Sequence, residues 1–413
     1  MQLTAPQQTI SNSTARFRMG IAGRRFGKTV LSIYEIGKYA RWPKRKIWYV
    51  APFYGQAKEI AWVMLKDRLR EKNWVKNEKS LNESALKANL RNGTVISLKG
   101  ANNPDSLRGV GVHFMILDEM PFMKKAAWTE SLRPMLSDTG GHCLMLGTPK
   151  GKNWAYDLFQ RGADPAYPNW NTFHYTTLDG GNVPPEEVQE AMDELDERTF
   201  RQEYLATFET YDGIIYYQFS REGNVKPYEK PENFQRIPLH IGMDFNINPM
   251  CATVSVVNKE TLHTFDEIII YGSNTNEMAQ EIRSRYPDHF IYIYPDPACR
   301  QQRTSANGNT DLSILQDAKY KLNVRVRNSH ALVRDRINAV NSRIKTMSGD
   351  IRYFIDPACK TQIKCLENQL YKEGTMTPDK DSGFDHMNDA TGYKIEYLWP
   401  MSKAEESYLA PMG

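Results

Sequence analysis

The chain has 413 residues, with 53 Lys and Arg against 49 Asp and Glu, a formal net charge of +4, and 40% hydrophobic and 25% charged residues. This composition excludes a disordered or collagen-like chain, and the length exceeds one ordinary core, so two domains are expected. No apolar run reaches the roughly 18 residues that span a bilayer, so no membrane partner is expected.

In chain order, residues 1–13 are polar and lack the basic-then-apolar layout of a secretory signal. Residues 19–22 predict a strand, 29–39 a helix and 47–50 a second strand. Residues 56–69 predict a helix with apolar positions at Ile60, Val63 and Leu65. Further strands are predicted at 95–98, 113–117 and 143–146. Strands alternating with helices argue for an α/β domain with a parallel-rich sheet. From 162 to 199 the composition turns to Pro, Gly, Asn and acid, which predicts loop and then an acidic helix from Glu186. The aromatic stretch 200–208 is expected to pack as a lid on the first domain, with a seam at Tyr211-Asp212-Gly213. A second β-rich pattern follows, with strands at 239–244, 252–257, 265–271 and 290–294, a basic amphipathic helix at 331–346 and a last helix at 385–397. Residues 351–355 are a further candidate strand.

Five scattered cysteines (Cys143, Cys251, Cys299, Cys359, Cys365) form no C-x-x-C pair, which supports neither a zinc site nor a disulfide framework and fits a reducing cytoplasm. Basic residues cluster at Arg41, Lys44, Arg45 and Lys46, and again at Arg325, Arg327, Arg334, Arg336, Arg343 and Lys345. Each cluster reads either as a solvated face or as a phosphate-facing patch. A steep fall of DNA binding with salt, carried by Arg325 to Lys345, is expected.

Ala22-Gly23-Arg24-Arg25-Phe26-Gly27-Lys28-Thr29 lies between a strand and a helix, the context of a nucleotide phosphate loop. The backbone of Gly23, Arg25, Phe26 and Gly27 would cradle phosphate, Lys28 would reach the β/γ oxygens and Thr29 would ligate Mg2+. The first glycine of the usual pattern is replaced by Ala22. Alone, Gly-Lys-Thr is a weak match. An apolar strand ending in Asp118-Glu119 supplies the companion acids, Asp118 for the Mg2+ shell and Glu119 to polarise the attacking water. ATP is therefore the expected cofactor. Arg24 is expected to reach the γ-phosphate in cis, or else to face solvent or DNA. Gln8 is expected to read adenine. Thr148, in Gly147-Thr148-Pro149-Lys150-Gly151, is expected to sense the γ-phosphate, against the plainer reading of a Pro-Gly turn.

In the second half, Asp244 and Asp296 end predicted strands, and Asp385 and Asp389 share one helical face. Together they are the expected carboxylate set for two Mg2+ ions, with Mn2+ able to substitute, in phosphodiester cleavage. Each is individually open to a capping role. Asp266, Asp356 and Glu267 are rival acids, with Asp356 ranked below Asp296 and Glu267 kept as an extra ligand. His386 reads either as a group supporting the metal ligands or as a surface histidine, and the latter is expected.

The chain resembles the large terminase subunit of tailed bacteriophages. The resemblance rests on Gly23-Arg24-Arg25-Phe26-Gly27-Lys28-Thr29, Tyr49-Val50-Ala51-Pro52 with Gln56-Ala57, Leu107-Arg108-Gly109, Ile116-Leu117-Asp118-Glu119, Gly147-Thr148-Pro149-Lys150-Gly151, Phe200-Arg201-Gln202-Glu203-Tyr204, Gly242-Met243-Asp244 and Asp385-His386-Met387-Asn388-Asp389-Ala390. It implies a P-loop ATPase domain over 1–212 whose linker or lid covers about 162–212, an RNase H-like nuclease over 213–400 and a tail at 401–413. It further implies ATP-driven movement of double-stranded DNA into a procapsid and cutting of concatemeric DNA in the host cell cytoplasm. The implied partners are a portal protein, a small terminase subunit and copies of the chain in a ring. By the same resemblance Arg24 is the phosphate-loop arginine, residues 147–149 are the coupling motif, and Asp244, Asp296 and Asp385 are the metal-binding acids. The family's final motif often carries adjacent acids. Here His386 takes the second place, which leaves Asp385 alone or Asp385 with Asp389. The competing reading is a helicase-like translocase whose C-terminal domain binds DNA without cutting it. A non-enzymatic scaffold is disfavoured by the intact Lys28, Asp118 and Glu119.

Overall fold

A computed structural model describes residues 2–103, 107, 109–210, 213–301, 310–372 and 375–401. Arg108, Tyr211, Asp212 and the tail beyond Met401 lie outside the described residues. The chain divides into two compact units, one of Met1–Glu190 with Phe200–Thr210 and one of Ala191–Thr199 with Tyr211–Gly413. Among the described residues no helix is long and apolar enough to cross a membrane.

The first unit is built on an eight-stranded sheet: β1 (Phe17–Ala22), β2 (Lys46–Ala51), β3 (Leu81–Asn82), β4 (Lys87–Asn89), β5 (Val95–Gly100), β6 (Phe114–Leu117), β7 (His142–Gly147) and β8 (Trp170–Tyr175). Their order is β3-β4-β5-β2-β6-β7-β1-β8. The run from β5 to β8 is parallel, and β3 and β4 pair antiparallel at one edge. Parallel strands are covered on both faces, which is why they read as continuous apolar runs. In β1, Phe17, Met19 and Ile21 enter one core cluster and Ala22 the other. Strand β8 falls in the stretch expected to be loop. As an edge strand it keeps no side chain fully buried, so Trp170–Tyr175 shows no apolar run.

The helix expected at 56–69 begins at Tyr54 and passes through a π-helical turn, Ala57–Trp62, before Val63–Glu71. The wider turn rotates the buried stripe. Ala57, Ala61, Trp62, Leu65 and Leu69 are buried, whereas Ile60 and Val63 are 57% and 47% exposed. The aromatic stretch 200–208 packs into this unit: Phe200 is buried, and Phe208 meets Tyr156 and Phe159.

The second unit carries β9 (Leu239–Asp244), β10 (Met250–Asn258), β11 (Thr261–Ile270), β12 (Ile291–Pro295), β13 (Leu322–Val324) and β14 (Tyr353–Ile355) in the order β13-β12-β9-β10-β11-β14. Strands β9, β10 and β11 form an antiparallel meander, and β12, β13 and β14 add in parallel. The helix Asp385–Leu398 lies close on β9: a Cβ on Gly242 would stand 1.9 Å from the Ala390 carbonyl oxygen. On the same helix Lys394 is fully buried. Its ammonium donates to the Thr253 carbonyl and hydroxyl, each at 3.0 Å, and to the Ser255 hydroxyl at 2.5 Å. Burial pulls its pKa down to about 7.

This packing sets the cost of two substitutions. Gly242→Ala forces β9 off the helix and is expected to destabilise the second unit by about 3 kcal/mol or more in a thermal melt. Gly55→Ala, where a Cβ meets nothing within 4 Å, is the neutral control. For Lys394 the folded pKa lies below the unfolded one, so the unfolded chain holds more protons between about pH 7 and 10.5 and stability rises with pH across that window. Melting of Lys394→Met against wild type is expected to favour the variant increasingly as pH falls from 10 toward about 7.

Candidate functional sites

Parallel strands end on the same side of a sheet, and β6, β7 and β1 are neighbours. Register sets Ile21 beside Gly147 and Leu117 beside Met145. The phosphate loop, Asp118-Glu119 and Thr148 therefore lie along one rim. Phosphate-loop residues, Glu119 and Thr148 line a cleft of about 740 Å3 together with Gln7, Phe53, Ile60 and Glu203. Gly27 has φ 91° and starts the helix Lys28–Ala40, a conformation that suits glycine. A Cβ on Gly23 would stand 2.6 Å from the Thr177 amide nitrogen, so the departure at Ala22 leaves the tight position itself glycine.

Lys28 Nζ donates to the Thr148 hydroxyl at 2.9 Å and to the carbonyls of Ala22 and Gly23 at 3.2 Å, and lies 3.6 Å from Glu119. Glu119 Oε2 accepts the Thr148 amide at 3.3 Å. Glu119 has φ 49° and ψ 42°, a left-handed conformation that is costly for a side chain of this size. Asp118 is buried, and its pKa is raised to about 6 by burial first and the Glu119 charge second, while a hydrogen bond from the Tyr49 hydroxyl opposes the rise. Thr29 lines the same cleft. Arg24 Nε donates to Glu203 at 2.7 Å, and the arginine side chain is 63% exposed. Gln8 does not line the cleft, contrary to expectation. Its amide donates to the Leu3 carbonyl, and Gln7 lines the cleft instead, donating to the Phe26 carbonyl at 3.0 Å. On the helix Ala5–Asn12 the buried face includes Gln7, and Gln8 is turned outward.

In the second unit, Pro295 of β12 pairs with Met243 of β9, so Asp296 and Asp244 leave the sheet side by side. The close approach at Gly242 brings in Asp385 and Asp389 from the last helix. All four acids line a pocket of about 330 Å3 with Asn246, Lys380, His386 and Tyr393. Asp244 has its pKa raised, by burial first, against the hydrogen bond with His386, and further by Asp389 and Asp296. Asp296 accepts the Tyr393 hydroxyl at 2.7 Å and the Ala298 amide at 2.8 Å. Asp389 accepts Arg336 at 2.8 Å and Lys380 at 3.4 Å. Asp385 is 2% exposed, and its Oδ1 is buried without a hydrogen-bond partner. Among the described residues no three His, Cys, Asp or Glu side chains stand at metal-holding spacing. Asp244, Asp296 and Asp389 are each turned toward a protein partner. A buried carboxylate oxygen without a hydrogen bond, with His386 Nε2 3.7 Å away and set among repelling acids, fits a hard divalent ion with oxygen ligands.

Residues 19–222 match the family model "Terminase large subunit, T4likevirus-type, N-terminal", and residues 241–398 match "Terminase RNaseH-like domain". The chain belongs to the terminase large subunit family. It is 25% identical to the terminase large subunit of Escherichia phage T5 over 94% of this chain and 89% of that one. It is 29% identical to that of Thermus virus P23-45 over 62% of this chain and 60% of that one. The large terminase of a thermophilic bacteriophage shares the fold, with a TM-score of 0.65, 16% identity and coverage of 96% of this chain and 99% of that one. A second structure of that thermophilic phage protein is in complex with ADP.

Several acids and bases of this chain differ from expectation. His386 is half-buried, with Nδ1 3.1 Å from Asp244 Oδ2, and that hydrogen bond first of all raises its pKa. Glu267 is not free to bind metal: its oxygens accept the Thr361 and Gln362 amides at 3.0 and 2.8 Å at the start of the helix Lys360–Asn368. Asp356 accepts the Tyr228 and Ala358 amides, both at 2.8 Å, and Asp266 pairs with Arg285 at 3.1 Å. The basic helix is shorter than expected, Val333–Ile344, and much of its charge is committed. Arg336 is buried against Asp389, Arg327 pairs with Glu396 at 2.9 Å and Arg343 with Glu260 at 2.8 Å, while Arg325 and Lys345 remain exposed. Lys380, Tyr393 and Asn246 carried no motif, and Tyr49 was visible only within Tyr49-Val50-Ala51-Pro52.

Arg336 is therefore a structural counter-ion. Arg336→Met is expected to cost about 3 kcal/mol by leaving the buried Asp389 with only the long Lys380 contact, with much of the loss recovered in Arg336→Met/Asp389→Leu. Thermal melts of the two variants check this.

Proposed function

We propose that the chain is the motor and nuclease subunit of a DNA-packaging machine. ATP hydrolysis in the first unit drives double-stranded DNA into a procapsid, and the second unit cuts concatemeric DNA. The reading rests on family membership together with one observation: Lys28, Glu119 and Thr148 come from three adjacent strand ends and meet in one bonded cluster.

In this reading the amides from Gly23 to Gly27 and the start of the following helix hold the phosphates, and Lys28 neutralises the β/γ oxygens. Thr29 and Asp118 hold Mg2+, which when bound screens the charge on those oxygens. Glu119 orients and deprotonates the attacking water. Thr148, bonded to Lys28 and Glu119, reports which nucleotide is present. Arg24, tethered by Glu203, swings to the γ-phosphate. Phe53 and Ile60 give the cleft an apolar wall for the base, and the ADP complex of the thermophilic phage protein supports a nucleotide here.

In the second unit Asp244, Asp296 and Asp385 hold Mg2+ or Mn2+, which when bound activates water and stabilises the leaving oxygen. Asp389, committed to Arg336, is not a ligand in this reading. His386 orients Asp244, and Tyr393 orients Asp296. The partners of this reading are a portal protein, a small terminase subunit and further copies of the chain in a ring.

Two measurements test the reading. Glu119→Ala is expected to bind ATP at near wild-type affinity but to lower turnover by a factor of about 100 or more, and unchanged turnover would remove Glu119 from the chemistry. With Mn2+ and supercoiled plasmid, Asp244→Ala is expected to lose nicking by a similar factor of about 100. Equal nicking by wild type and variant would favour a translocase that binds DNA without cutting.

A further inference from the structure

The acidic pocket of the second unit holds Asp244, Asp296, Asp385 and Asp389. Four side chains that can carry positive charge face them, and they differ in how firmly they are held; the exposed His330 has Nε2 3.5 Å from Asp296 Oδ1. Arg336 is bonded to Asp389, its side chain is 10% exposed, and its guanidinium lies 4.4 Å above the Tyr393 ring. His386 is bonded to Asp244 and to Asn246. Beside Asp385 and Asp389 the loosely held cation is Lys380. Its side chain is 58% exposed, and its Nζ stands 3.4 Å from Asp389 Oδ2 and 3.7 Å from Asp385 Oδ2.

Those distances exceed the ~2.8 Å of a committed ammonium–carboxylate bond, so the charge is shared between the two acids and belongs to neither. The ammonium lies beside the same Asp385 carboxylate whose other oxygen accepts no hydrogen bond and has His386 Nε2 3.7 Å away. The lysine stem leaves the chain just before the last helix, where the Asp379 amide donates to the Leu370 carbonyl and Gly383 to that of Lys380. Lys380 also lines the adjoining cleft with Arg325, Arg327 and His330, and its exposed side chain leaves the ammonium free to turn to solvent.

We propose that Lys380 is a resident counter-cation that competes with a divalent ion for Asp385, and so sets how readily the nuclease site takes up metal. The proposal rests on the nuclease reading above. Two like charges cannot share that space cheaply, so entry of the ion must displace the ammonium. Losing the lysine therefore removes a competitor.

The test is Mn2+ binding to the full chain without nucleotide, followed by electron paramagnetic resonance of the free ion, with Lys380→Met, Lys380→Arg and Asp385→Asn compared with wild type. Lys380→Met keeps the stem and removes the charge. It is expected to bind Mn2+ about tenfold more tightly, a modest factor because the group is partly solvated. Lys380→Arg is expected to stay near wild type. Unchanged or weaker binding by Lys380→Met overturns the proposal. Unchanged Mn2+ affinity with weakened DNA affinity would instead make Lys380 a phosphate contact. If wild type and Asp385→Asn bind Mn2+ alike, the ion does not use this pocket. The nuclease reading then fails, and this inference with it.

Discussion

Neighbouring parallel strands must end on the same side of their sheet, and both chemical centres of this chain depend on that constraint. In the first unit β6, β7 and β1 end together and place Asp118-Glu119, Thr148 and the phosphate loop within reach of one another. In the second, β12 and β9 end together and set Asp296 beside Asp244. Each arrangement brings acids closer than they would choose. Burial and a neighbouring charge raise the pKa of Asp118 to about 6, and burial with charge repulsion raises that of Asp244. The surrounding side chains offset the cost: Tyr49 and Lys28 in one unit, His386, Arg336 and Lys380 in the other.

The strain is consistent with sites poised for cationic ligands. Glu119 sits in a left-handed conformation between Lys28 and the Thr148 amide, and Asp385 keeps one buried oxygen unbonded. Such features cost stability in the protein alone and are repaid when a ligand arrives. The two centres balance their charge differently. Around the phosphate loop the balancing cation is Lys28, buried and held by three acceptors, whereas in the acidic pocket part of the charge rests on an exposed lysine.

What the sequence revealed follows from how local each signal is. Gly27-Lys28-Thr29 and Asp118-Glu119 each occupy one strand end, so their order and context were readable, as were Asp244 and Asp296. The sheet class was readable because parallel strands are apolar on both faces. Signals that depend on tertiary partners were not. Nothing in the string marks Lys380 as lying over Asp389, Arg336 as buried or His386 as bonded to Asp244, since tertiary packing alone brings these pairs together. Gln7 and Gln8 differ only in which side of a short helix is buried. Strand β8 was hidden because an edge strand need not be apolar, and Ile60 and Val63 were misplaced because a π-helical turn breaks the 3.6-residue period. Glu267 and Asp356 looked like ligands until their backbone partners were visible.

In the proposed function these strand ends assemble two cation-binding centres. A crystal structure of the full chain with Mn2+ and a non-hydrolysable ATP analogue, read by anomalous scattering, tests it most directly. One peak is expected at Thr29 and Asp118 beside the analogue's phosphates, and density for metal against Asp244 and Asp385 with the Lys380 ammonium moved away. Metal at neither carboxylate with nucleotide bound, or metal held by Glu267 or Asp356 instead, would contradict it.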